Sequence, residues 1–168
     1  DELAITRFIA DLESRLGDPG MAAMNTTRLE GNAYNLNELI RATAAMPFLA
    51  KRRLVILENF LGRVKDRPEQ EAFKAALVKV PETTALVLVE RKPLVEEKER
   101  RKGKEHWLEI WAREAGEKAL LKEFVPLKGY PLIVWIQEQA RKAGGEFTQA
   151  AAKELVGLVN ENPRQAEH

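Results

Sequence analysis

Cysteine is absent from the chain, which excludes disulfides, thiolate metal sites and cysteine nucleophiles and is compatible with a reducing compartment. Serine occurs only at Ser14, inside an amphipathic helical pattern, so no Gly-x-Ser-x-Gly nucleophile elbow exists. The two histidines, His106 and His168, are too few for a catalytic zinc, which needs three protein ligands. His106 and Glu109 do stand three apart on a helical pattern, but one imidazole and one carboxylate do not make a metal site. Neither Gly-x-x-x-x-Gly-Lys-Ser/Thr nor Gly-x-Gly-x-x-Gly occurs, so these residues hold no phosphate cradle, and no cofactor is expected. Charge of one sign is lacking as well: 27 Lys and Arg face 26 Asp and Glu, and a net charge of +1 does not announce a nucleic-acid binder. No apolar run approaches the roughly 18 to 20 residues of a membrane span, and Asp1 and Glu2 stand where a signal peptide would carry bases. No membrane partner is expected, and the cytoplasm is the default location.

What is present is a chain of 168 residues, 45% hydrophobic and 32% charged, enough for a main domain with a small appendage. Leu3, Ile5, Phe8, Ile9, Leu12 and Leu16 recur at helical spacing and stop at Gly17-Asp18-Pro19-Gly20, a breaker cluster. Thr26 to Glu30 reads as a short strand, followed by a helix over Leu36, Leu39 and Ile40 that Asn35 caps. Leu54 to Leu57 and Ala85 to Val89 are continuous apolar runs, the mark of strands covered on both faces in a parallel sheet. Between them lies a helix with Phe73, Ala76 and Leu77 on one face and Pro68 in its first turn. A further helix carries Trp107, Leu108, Trp111 and Ala115, and Leu120 to Val125 is expected to form a last short strand. The alternation gives an α/β sheet.

The pattern changes at Pro126-Leu127-Lys128-Gly129, beyond which only helices are expected. One runs through Leu132, Ile133, Trp135, Ile136 and Ala140 to Gly144-Gly145, and Thr148 caps another through Leu155, Leu158 and Val159. Asn162-Pro163 starts a third, which His168 cuts short of the roughly 12 residues that even marginal helices need. The expected domains are 1–125, α/β, and 126–168, helical and incomplete at the carboxyl end.

Two features invite a function. Arg91 to Lys104 holds seven bases (Arg91, Lys92, Lys98, Arg100, Arg101, Lys102, Lys104) against three acids (Glu96, Glu97, Glu99). That excess could contact phosphates, with Lys51 and Arg52 as further candidates, but no aromatic is interleaved to stack on bases, and a solvated surface is the plainer reading. The second feature is Met46-Pro47-Phe48-Leu49, followed by Lys51, Arg52 and Arg53, between a helix and the strand beginning at Leu54. Proline disfavours helical geometry at Met46, so the helix ends there and Phe48 and Leu49 fall on the turn. Two readings stay open. Large apolar groups usually pack inside, which favours folding back under the sheet. Alternatively they form an exposed apolar anchor with a cationic rim, the mark of a partner site.

The whole chain resembles the delta subunit of the bacterial DNA polymerase III clamp loader. Asp1-Glu2-Leu3 is similar to the acidic pair after that family's first strand, and Leu29-Glu30-Gly31 with Leu36-x-x-Leu39 to its second strand and helix. Pro47 to Leu57 resembles its "PFF-x-x-RRLVVV" element, and Thr84 to Glu90 its "TLLVLE" strand. The most specific likeness is Phe124-x-Pro126-Leu127-Lys128 with Trp135-Ile136 and Ala140 to Gly144. Val156-Gly157 through Asn162-Pro163-Arg164-Gln165 resembles "LVGNDLRQLE".

The resemblance implies an AAA+-like three-layer parallel sheet domain, a small helical lid, and a collar beyond this stretch. It implies a noncatalytic subunit, without cofactor or metal, that binds the sliding clamp and opens the ring for loading onto primed DNA. By position the clamp-binding residues are Phe48, Leu49, Pro47 and Met46, with Pro47 replacing one of two adjacent bulky apolar residues found in some members. Its partners are the clamp, sister subunits through the collar, and primed DNA through the complex. It also implies a strand before Asp1, lying centrally in the sheet, and, without the collar, a monomer. Two other classes remain. One is an α/β nucleotide-using enzyme whose phosphate loop precedes Asp1, and the other is a DNA-binding module using Arg91 to Lys104. The charged stretch from Glu96 to Lys104 has no counterpart that the resemblance explains.

Overall fold

The computed structural model describes residues 1–33 and 35–158, so the helix start expected at Asn162-Pro163 and the end of the last family-like element lie outside the described residues. Three strands, β1 (Thr26–Glu30), β2 (Arg53–Glu58) and β3 (Thr84–Val89), form a parallel sheet in the order β1-β2-β3. Thr26 pairs with Leu54 and Leu54 with Ala85, and the register runs without a bulge to Glu58 opposite Glu30 and Val89. β2 is the middle strand, and Leu54, Val55, Ile56 and Leu57 are all buried, which is why its sequence is a continuous apolar run instead of an alternating one.

The helices are α1 (Glu2–Ser14), α2 (Pro19–Asn25), α3 (Leu36–Ala44), α4 (Arg67–Val78), α5 (Glu97–Arg100), α6 (Trp107–Ala115), α7 (Tyr130–Lys142) and α8 (Gln149–Leu158). Two compact units divide the chain. One is Phe8–Lys122, and the other joins Asp1–Arg7 to the residues from Glu123 onward. In the first, Val55 and Leu57 turn one face of β2 into a cluster with Leu39 of α3, Phe73 and Leu77 of α4, Leu108 of α6, Phe60 and Val64. Phe60 and Phe73 stack there with centroids 4.7 Å apart, and Trp107 meets Phe73 edge-on at 6.0 Å. The second unit is held by Leu132, Ile133 and Ile136 of α7 against Ala152 and Val156 of α8. In it Arg7 lies 5.1 Å from the centre of the Trp135 ring. No helix among the described residues is long and apolar enough to cross a membrane.

The helix ends follow capping chemistry. The Asn35 carboxamide accepts from the Asn37 N–H at 2.9 Å, starting α3 as expected. Asp66 and Glu69 form a reciprocal capping box on either side of Pro68 in the first turn of α4. Thr148 caps α8 through the Ala151 N–H.

One expectation is extended and one fails. Gly17 to Gly20 does not only break a helix; Asp18 accepts from the Gly20 and Met21 N–H groups and Pro19 takes the first turn, so α2 begins inside the breaker cluster. Leu120 to Val125 is not a strand. Among the described residues it has no ladder partner, and Leu120 and Val125 stand largely in solvent, because apolar composition without a neighbouring strand does not make a ladder.

Candidate functional site

The segment between α3 and β2 is built from three sequence features. Pro47 fixes its own φ and pushes Met46 out of helical geometry, and α3 ends at Ala44 with Ala45 already extended (φ −66°, ψ 141°). The last turn of α3 is tied to the sheet by Thr84, whose buried hydroxyl donates to the Thr43 carbonyl at 2.8 Å. At the other end Arg53 enters β2, donating its backbone N–H to the Thr83 carbonyl and its guanidinium to Thr27 Oγ1 at 2.7 Å. Between these fixed points the chain makes a tight reversal at Leu49, whose φ of +49° is a left-handed conformation that a branched side chain adopts only at a cost.

The side chains this turn carries face solvent. Met46 is 83%, Phe48 52% and Leu49 83% exposed, while Pro47 is half-buried. The expectation from burial statistics, that Phe48 and Leu49 fold under the sheet, is therefore wrong, because β2 and its neighbours already fill that space with their own side chains. Lys51 and Arg52 are exposed and, among the described residues, unpaired, whereas Arg53 is drawn inward by Thr27 and does not belong to the rim. The turn sits at the amino ends of β1 and β2, opposite the carboxyl ends where open α/β sheets hold small ligands.

One contributor was not foreseen. Asn25, the last residue of α2 and 1% exposed, accepts from the Phe48 N–H at 2.7 Å and donates to the Phe48 carbonyl at 2.9 Å and to the Met21 carbonyl at 3.0 Å. The Asp18-Pro19 cap could have shown a helix running into β1, but nothing local marks a bond spanning 23 residues.

The charged stretch behaves differently. Arg100 donates to Glu109 at 2.7 Å, Lys102 to Glu99 at 2.8 Å and Arg101 to Glu97, while Lys104 lies 3.7 Å from Glu99. The phosphate candidates Arg100, Arg101 and Lys102 each have a carboxylate partner, in contrast to Lys51 and Arg52.

His106 and Glu109 form a capping box for α6. The His106 N–H donates to Glu109 at 2.9 Å and His106 Nδ1 accepts from Leu108 at 3.3 Å. Burial holds the imidazole below its ordinary pKa against the opposing pull of the Glu109 charge. At Glu109 burial is the largest single influence and acts upward, but the His106 N–H and the bond and charge of Arg100 together outweigh it, so the carboxyl stays below the usual range. Among the described residues no group of three His, Cys, Asp or Glu is placed to hold a metal.

The family model described as DNA polymerase III, delta subunit matches residues 1–123. The solved structure of the Bacillus subtilis DNA clamp loader delta protein YqeN superposes with a TM-score of 0.64 over 97% of this chain and 48% of that one, at 15% identity. That likeness is of fold, and this chain spans about half the length of that protein. No curated protein matches.

Proposed function

Because the chain belongs to the DNA polymerase III delta-subunit family, we propose that it is a noncatalytic, cytoplasmic clamp-loader subunit that binds the sliding clamp through Phe48 and Leu49 and opens the ring for loading onto primed DNA. The reading rests on one observation above all: two large apolar side chains stand in solvent on a turn anchored at both ends. An exposed aromatic next to an aliphatic residue, with a half-buried proline shaping the turn and two cations beside them that are unpaired among the described residues, has the make-up of an interface anchor. Its place at the amino ends of the strands suits a protein partner better than a small ligand. Met46 extends the apolar surface on the helix side. Sister subunits and primed DNA are reached through the assembly, and residues 1–125 and 126–168 supply its α/β and lid domains.

The test is affinity for a sliding clamp. Truncating a buried aromatic anchor costs about 2 kcal/mol or more, so Phe48→Ala is expected to weaken binding at least tenfold, and Leu49→Ala somewhat less. Unchanged binding by both variants, with the fold intact by circular dichroism, refutes the reading.

A further inference from the structure

We infer that Asn25 is the positioning residue of this turn, holding the Phe48 backbone so that its side chain is presented to the partner before contact. The inference rests on the clamp-binding reading of Phe48 and adds a residue outside the turn to it. Asn25 uses its carboxamide as a strand would use a peptide group, accepting from the N–H and donating to the carbonyl of the same residue. Its second N–H goes to Met21, on the preceding turn of α2. Only one orientation of the amide serves all three partners, since the reverse would face an NH2 group to the Phe48 N–H and an oxygen to two carbonyls.

The side chain is essentially inaccessible to water, so solvent cannot take its place without opening the structure. Among the described residues no other hydrogen bond holds residues 46–52. Phe48 is thus a single backbone anchor point on an otherwise unbonded turn, and the left-handed step at Leu49 follows it immediately. A turn fixed at that point loses less conformational freedom on binding than one free from Ala45 to Arg52. Asn25 touches no partner in this scheme and acts through Phe48.

The experiment is a double-mutant cycle in the full-length subunit, with clamp affinity measured for wild type, Asn25→Ala, Phe48→Ala and the double variant, each checked by thermal melt. Asn25→Ala is expected to weaken binding about tenfold in the wild-type background and less than about twofold when Phe48 is already alanine, because what it positions is gone. Exchange of the Phe48 amide hydrogen should accelerate at least tenfold in Asn25→Ala without the clamp. Should Asn25→Ala fail to fold, Asn25→Asp serves. Its carboxyl keeps an acceptor for the Phe48 N–H and regains a donor only when protonated, so its affinity relative to wild type should rise as pH falls from 8 to 5. Equal losses in both backgrounds, normal Phe48 exchange, or for Asn25→Asp a flat ratio across that range overturn the inference. If instead Phe48→Ala itself binds normally, it is the clamp-binding reading that has failed, a result distinct from Phe48→Ala binding weakly while Asn25→Ala binds normally.

Discussion

The turn from Met46 to Lys51 and the stretch from Glu96 to Lys104 are both short solvent-facing connections, and they dispose of their side chains in opposite ways. The turn leaves apolar groups in water and, among the described residues, leaves Lys51 and the adjoining Arg52 unpaired. The charged stretch, with many more cations, matches Arg100, Arg101, Lys102 and Lys104 with nearby carboxylates. A count of charges is therefore a poor guide to available charge, since local acids at helical spacing consume it, and a count of apolar residues is a poor guide to burial when the core is already full. What a surface can offer is what its own neighbours leave unsatisfied.

The largest expected effect breaks the comparison directly. In one clamp-binding assay, alanine at both Phe48 and Leu49 should cost more than tenfold, whereas alanine at both Arg101 and Lys102 should cost less than about twofold, because exposed ion pairs contribute at most about 1 kcal/mol to the fold and nothing to an anchor. A larger loss from the charged stretch would move the interface there.

Next in size is the stability carried by Arg100, Glu109 and His106. Glu109→Ala removes the capping acceptor for the His106 N–H and leaves Arg100 without that carboxylate, and should destabilise the fold by about 1 to 2 kcal/mol in urea titration at pH 7. Both groups have lowered pKa values, so the unfolded chain takes up their protons first and stability falls with acid. The His106 contribution is lost as pH drops below about 6.5, the ordinary imidazole value, and the Glu109 contribution as pH drops through the carboxylate range. Glu109→Gln should flatten the second, more acidic part of that decline and, by removing the charge that pulls the His106 pKa upward, enlarge the first; an unaltered profile would show that this carboxyl is not responsible.

These contrasts also show what the sequence could convey. The three strands, the Asn35 and Thr148 helix caps, Pro68 in the first turn of α4, and the Gly144-Gly145 helix end were legible because each rests on neighbours within a few residues. Leu120 to Val125 was misread because a strand is a property of two segments, and its own composition cannot supply the other. At the candidate site, Pro47 and the end of α3 were legible from local geometry, but the exposure of Phe48 and Leu49 depended on Val55, Leu57, Phe60 and Phe73 having filled the interior. Asn25 was invisible because its partner is 23 residues away and its side chain could as well have served as a local cap.

A smaller effect separates the strain in the turn from its use. At φ +49°, Leu49 carries a conformational cost that glycine does not, while glycine raises the entropy of the unfolded chain. Leu49→Gly should therefore leave stability unchanged or raise it by up to about 1 kcal/mol, yet weaken clamp binding. Marked destabilisation would mean that the Leu49 side chain contributes packing to the fold despite its exposure.

The smallest effect concerns the two free cations. Lys51 and Arg52 flank the apolar anchor with no carboxylate partner among the described residues, so their charge is available to steer an acidic partner surface but is not part of the apolar contact. Rim charges act mainly on association, through fields that extend about 8 Å at physiological ionic strength. Alanine at both positions should slow clamp association two- to fivefold at low salt, leave dissociation nearly unchanged, and converge on wild type as salt is raised to about 0.5 M. An effect on dissociation that persists in high salt would place one of these side chains within the buried contact, making the functional turn longer than its apolar residues.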